Sequence, residues 1–324
     1  MKASQILHTT FVCDGHVDTF RNLVKRGGDF LLGSGDCHVS LPRMRQAGLN
    51  LQLAAIYTSA EEAGLESTVL TLRVLERIHS TIEASRGALR LVTSLPSLGE
   101  LLNQGGQGLL ISLEGVDPLL GDLTVLDSFY RLGLRAIGLT HNHNSPAAGG
   151  CGASPILGLT EHGRDLLQRM SALGILLDTA HLGRQAFSEA LEVYRGPVIN
   201  SHSCCQKFVP GERNLADAQI RQIAETGGLV AVTFVPKFLV ASGKCTSHDV
   251  FRHLEHMVEV AGIDAVAIGS DFDGTDHLPE DLKDPRDFVH LVQRMLEAGW
   301  TPGDIAKVLG GNWLRVLGAV LPAN

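Results

Sequence analysis

The stretch CDGHVDTF, residues 13–20, places His16 and Asp18 two positions apart at the end of a short apolar run. Side chains two apart on a strand share a side, so the pair could grip one cation. Similar residues recur along the chain. Glu114 closes the run GLLISLEG, His141 follows RAIGLT, His181 ends GILLDTAH, and His202 lies in PVINSHS. Asp271 and Asp273 follow DAVAIGS. Each has an ordinary reading alone: a hydrogen-bonded histidine, a paired carboxylate, a helix cap. Gathered at one place, so many imidazoles and carboxylates would be costly without a compensating charge. Imidazole with carboxylate and no thiolate suits zinc and related divalent ions. Five ligands exceed what one catalytic zinc takes, so two ions about 3.5–4 Å apart fit better. Glu114 is the natural bridge, with two oxygens to share.

These residues need a scaffold that gathers positions more than 250 apart in sequence. Eight apolar runs supply one: 11–16, 49–57, 108–115, 135–143, 174–181, 197–203, 228–234 and 264–274. Amphipathic segments fill the gaps. Residues 160–174 start at Thr160, a natural N-cap, and stop at Gly174, with Leu166, Leu167, Met170 and Leu173 on one face. Residues 215–228 repeat the pattern with Leu215, Ile220, Ile223 and Ala224. Eight buried strands alternating with helices predict an α/β fold, a (β/α)8 TIM barrel forming a single domain over residues 1–324. In such a barrel the C-terminal strand ends converge on one face, where catalysis sits. No GxGxxG follows the first strand, which removes the reason to choose an open sheet.

The bulk numbers set limits. A net charge of -8 argues against nucleic-acid and anionic-membrane binding. No stretch is long and apolar enough to cross a membrane, and the N-terminus lacks the pattern of a signal peptide. The cytoplasm is the default, with no membrane anchor expected. The six cysteines, two of them adjacent, predict reduced thiols. HExxH, GxSxG and P-loop motifs are absent. HLEHM (253–257) puts His253 and His256 on a helix before the eighth strand, at the far end of the barrel, and reads as a solvated helix. DFDGTD opens like a calcium loop but has Asp276 where the turn needs Gly.

The ordered set DGHVD, SLEG, GLRAIGLTHNHNSPA, GLTEHGRDLLQRMSALGILLDTAH, PVINSHS, RNLAD, IAETGGLVAVTF, GIDAVAIGSDFDG and LGGNWLRV resembles the membrane dipeptidase (renal dipeptidase) family, the M19 metallopeptidases, over nearly the whole chain. The resemblance implies a zinc-dependent dipeptidase acting on L-L and L-D dipeptides at a binuclear site. His16 and Asp18 would hold one Zn2+, His181 and His202 the other, and Glu114 would bridge them. His141 would face the substrate carbonyl, and Arg213 would bind the substrate carboxylate. Asp271 would be the acid/base, with Asp273 the lesser choice. A water activated between the two ions would attack the peptide carbonyl. Relatives also suggest a homodimer. The chain departs from the family pattern at Ala147, His143, Thr233 and Val235, positions expected near the pocket that bear on substrate choice. One alternative is another barrel metal hydrolase acting on N-acyl amino acids or lactones. Many of those bridge their metals with a carbamylated Lys, and no Lys ends any of the eight runs. Another is a non-catalytic ligand-binding relative.

Overall fold

Period-two alternation decides what lies inside this fold. The computed structural model describes residues 2–155 and 157–323. Its strands are β1 (Cys13–Val17), β2 (Leu51–Tyr57), β3 (Leu89–Leu91), β4 (Gln107–Glu114), β5 (Leu134–Gly138), β6 (Leu176–Asp178), β7 (Ile199–Ser203), β8 (Leu229–Val232) and β9 (Val266–Ile268). All pairings are parallel, in the order β1-β2-β4-β5-β6-β7-β8-β9. The ring closes through a bridge between Val17 and Phe272. Asp18 N–H donates to Phe272 O at 2.9 Å, and Asp271 N–H donates to His16 O at 3.0 Å. Each of the eight predicted runs overlaps one strand of this barrel; β1, β4 and β5 extend one residue beyond their runs, at Val17, Gln107 and Leu134.

The ninth strand was not anticipated. β3 pairs Gln107–Leu109 of β4, beside the half of β4 that β5 leaves open, since β5 starts opposite Ile111. It is three residues long and carries Arg90 at its centre, too little apolar pattern to read.

On β2 and β4, Leu51, Leu53 and Leu110 point inward, where they meet Leu176, Ile199, Leu229 and Trp313. Leu109, Ile111 and Leu113 point outward to the helices. Trp313 belongs to the C-terminal helix Asn312–Val320. Its ring lies so close to Gly15 that a Cβ there would collide with it. Gly15 in DGH therefore serves packing as well as turning. The helix Glu161–Leu173 is capped by Thr160, whose hydroxyl accepts from Gly163 N–H at 3.0 Å, and it stops at Gly174 with φ +68°. The second predicted helix spans Asp217–Glu225; Leu215 is buried but precedes it.

The HLEHM expectation is corrected. His253 and His256 are buried on the helix Ser247–Ala261, whose inner face carries both with Phe251, Leu254 and Met257. Cys205, Leu239 and Asp217, which their ring nitrogens meet, come from other segments of the chain, which a sequence pattern does not reveal. All six cysteines are free. No helix among the described residues is long and apolar enough to cross a membrane.

Candidate active site

Glu114 is the last residue of β4, two turns of the alternation beyond inward-facing Leu110. The pattern therefore carries a carboxylate into the barrel mouth. Its Oε1 lies 2.9 Å from His181 Nε2 and 3.4 Å from His202 Nε2. Its Oε2 lies 3.6 Å from His16 Nε2. His16 Nε2 also sits 3.4 Å from Asp18 Oδ2. The expectation that both residues of this pair lie on a strand is corrected. β1 ends at Val17, and Asp18 is the residue before the helix Thr19–Arg26.

Alternation alone would not deliver His16 and His202. On β1, Cys13 and Gly15 face inward, so strict period two would turn His16 out; on β7 the same holds for His202 after Ile199. Pairing irregularities between Asp14 and Val17, and between Asn200 and Ser203, break the alternation at both places. Beyond β6 and β9, His181 and Asp271 adopt left-handed backbone, φ 65° and 66°. That conformation is rarely taken by non-glycine residues and concentrates at functional sites.

Neighbouring groups orient the rings. Asn142 Oδ1 lies 2.9 Å from His181 Nδ1, and Ser201 Oγ lies 2.8 Å from His202 Nδ1. Ser201 N–H in turn donates to Asp178 Oδ1 at 2.9 Å. With Nδ1 protonated and engaged, each ring presents the Nε2 lone pair to the centre. Burial, helped by the Arg213 guanidinium, holds His181 far below its ordinary pKa. Burial, His16 and Arg213 do the same for His202. Both rings are neutral, the state a metal ligand needs. His16 is raised despite its burial because Glu114 and Asp18 face it. Glu114 is lowered despite burial by His16, His181 and His202. Burial pushes Asp271 up to about 8, with Asp18 and Glu114 adding to the rise and His16 opposing it.

The donor set fits divalent cations. Ligands at about 2.1 Å from one tetrahedral zinc lie about 3.4 Å from each other, close to the spacings around Glu114. Donor atoms of His16, Asp18 and Glu114 fall within 4.8 Å of one another. So do those of Glu114, His141 and His181, and of His16, His202 and Asp271. His16 Nε2 and Asp18 Oδ1 are buried without a hydrogen-bond partner, an arrangement disfavoured in protein interiors unless another group satisfies it.

A cavity of about 300 Å³ opens over these groups, lined by Asp18, Glu114, His141, His181 and Asp271, with Arg21, Arg26 and Lys237 also in its wall. Arg213 is not among its lining residues. Its Nη2 lies 3.0 Å from His181 Nε2 and donates to His202 O at 2.7 Å, and its Nη1 donates to Ser203 Oγ at 2.6 Å. Asp273 also touches the cavity, but its carboxylate accepts from Thr19 Oγ1, from His38 N–H at 2.6 Å and from Val39 N–H at 3.3 Å. It ties down the segment that leads into the helix Leu41–Ala47. Of the four departures, Val235 lines the cavity; Ala147 and Thr233 are fully buried, and His143 lies 3.2 Å from Asp117 Oδ2.

Several contributors were not singled out from sequence. Tyr57 closes β2, and its ring lies 4.3 Å from that of His141; the rule that found Glu114, a polar residue ending an apolar run, applies to it too. Asn142 adjoins His141 in THN. Asp178 and Ser201 left no signal beyond lying in the runs. Gly274 also matters, because a methyl group there would run into Asp271 Oδ1 and Asp18 Oδ2. Gly274→Ala is expected to lower kcat/KM at least tenfold while the melting temperature shifts by only a few degrees. Activity within twofold of the wild type would show that the two carboxylates need not hold their observed places.

A family model described as membrane dipeptidase, peptidase family M19, matches residues 1–323. Among solved structures, a dipeptidase described as a metallopeptidase of family M19 superposes with TM-score 0.90 at 27% identity, covering 97% of this chain and 99% of its own. A metallopeptidase from Rhodobacter sphaeroides, bound to a phosphinate mimic of the dipeptide L-Ala-D-Ala, gives TM-score 0.89 at 26% identity, covering 96% and 99%. A probable dipeptidase, PvdM from Pseudomonas aeruginosa, matches in fold with TM-score 0.92 at 19% identity, covering 98% and 97%.

Proposed function

The chain belongs to peptidase family M19, the membrane dipeptidases, and on that premise we propose that it hydrolyses dipeptides at a site built for two zinc ions bridged by Glu114. The coarser activity is a metal-dependent dipeptidase. The observation that carries the finer reading is the position of the Glu114 carboxylate, with Oε1 facing His181 and His202 and Oε2 facing His16. One oxygen for each ligand pair is what a bridge requires.

In this reading His16 and Asp18 hold one ion, His181 and His202 the other, and the single domain spans residues 1–324. When bound, the ions supply an activated water and polarise the peptide carbonyl. The protein does the rest. His141, lowered by burial and therefore neutral, hydrogen-bonds the substrate carbonyl as negative charge develops on its oxygen. Asp271 holds a proton against the departing amine and releases it as the C–N bond breaks. Arg213 receives the substrate carboxylate through its planar fork of donors. That contact fixes the distance from carboxylate to scissile bond and selects dipeptides over longer chains. The mimic of L-Ala-D-Ala bound by the Rhodobacter relative supports acceptance of a D residue at the C-terminal position.

The reading is tested by metal analysis of the purified protein and a panel of L-L and L-D dipeptides, with zinc removed and restored. Two equivalents of zinc and restored turnover are expected. One equivalent at full activity would sink the binuclear reading. Arg213→Ala is expected to raise KM for a dipeptide about 10- to 100-fold and to leave KM for its C-terminal amide nearly unchanged. This corresponds to about 1.4–2.7 kcal/mol of binding. Equal effects on both substrates would move the carboxylate role to Arg21, Arg26 or Lys237 in the cavity wall.

A further inference from the structure

His253 lies on the helix Ser247–Ala261, within the buried HLEHM segment, and none of the steps above uses it. It is fully buried, and both ring nitrogens are engaged. Nδ1 accepts from Cys205 N–H at 2.9 Å, which puts the proton on Nε2, and Nε2 donates to Leu239 O at 2.9 Å. Burial lowers its pKa to about 4, so this neutral tautomer persists at neutral pH.

The two segments it joins both bear on the site. Cys205 lies at the base of the loop after β7 that carries Arg213. The loop is closed at its base, where Leu215 N–H donates to Cys204 O and Gln206 N–H to Leu215 O, each at 2.8 Å. Leu239 ends the short helix Pro236–Leu239, whose Lys237 and Phe238 line the cavity. Asn214, next to Arg213, makes a second joint. Its Nδ2 donates to Val209 O at 2.8 Å within the loop and to Phe238 O at 3.0 Å across to that helix. Between the joints the Arg213 guanidinium sits 5.3 Å from the centre of the Phe238 ring.

We propose that His253 and Asn214 are positioning residues that clip the Arg213 loop to the helix Pro236–Leu239 and so set where Arg213 meets the substrate carboxylate. The proposal rests on the reading of Arg213 as the carboxylate receptor. A long flexible cation loses rotamer freedom whenever it binds. A loop fixed at two points beside it lowers that cost before substrate arrives. The clip should therefore act on KM and leave the bond-breaking groups alone.

The test compares Arg213→Ala, His253→Leu, His253→Gln and Asn214→Ser, using the best dipeptide of the panel and its C-terminal amide, with zinc content and thermal unfolding of each protein. His253→Leu and Asn214→Ser are expected to raise KM for the free dipeptide five- to twentyfold. The amide KM, kcat and zinc content should stay within about twofold. His253→Gln, which keeps a donor for Leu239 O, should recover much of the loss. If Arg213→Ala itself does not separate acid from amide, the reading of Arg213 fails and the clip falls with it. If Arg213→Ala separates them but His253→Leu and Asn214→Ser do not, the clip alone is overturned. Loss of cooperative unfolding in all three clip variants also overturns it, making the contacts purely structural.

Discussion

Glu114→Gln is expected to lower kcat/KM by at least about a thousandfold, or about 4 kcal/mol of transition-state stabilisation, while unfolding stays cooperative. The side chain keeps its shape, so the surrounding packing has no cause to collapse. What changes is charge and lone pairs. The carboxylate faces three imidazole nitrogens within 3.6 Å, and its amide offers one oxygen and a donor in its place. The donor would point at an Nε2 lone pair or at a cation. Zinc content should therefore fall by at least one equivalent per chain. Near-normal turnover with full zinc occupancy would remove Glu114 as a bridge and with it the binuclear mechanism.

Asp271→Asn is expected to lower kcat by about a hundred- to ten-thousandfold, the range for losing a positioned proton donor, with KM within a few-fold. Burial favours the protonated acid, which is why this carboxyl is pushed up to about 8. Bound cations pull it back down. A group that must carry a proton fails as pH rises through its pKa, so kcat in the wild type should fall on the alkaline side and that limb should vanish in the variant. Donor atoms of Asp271, His16 and His202 also lie within 4.8 Å of one another, close enough to share one ion, so zinc content discriminates between the two roles. Retained zinc with lost kcat marks a proton donor. Lost zinc would make Asp271 a ligand and leave the departing amine without its proposed acid.

The strand ends and the gathering of imidazoles and carboxylates were legible in the sequence because they follow from local rules. Apolar runs make strands, parallel strands with helical crossovers make a ring, and a ring brings its C-terminal ends to one face. The cap at Thr160 and the stop at Gly174 are equally local, set by one hydroxyl and one left-handed backbone. β3 was illegible because three residues with a central arginine carry no period. The burial of His253 and His256 was illegible because their partners, Cys205, Leu239 and Asp217, come from segments distant in the chain.

By itself, then, the sequence determined the barrel and the set of side chains at its mouth, since composition and period act over a few residues. Only the tertiary structure decided how those side chains aim. His16 and His202 turn inward because the pairing slips between β1 and β2 and between β7 and β8. Arg213 lies against His181 and His202 rather than along the cavity wall, and its loop is held by a histidine from another helix. Register and loop docking are contests between distant segments, and hydrogen bonds settle them only when those segments meet.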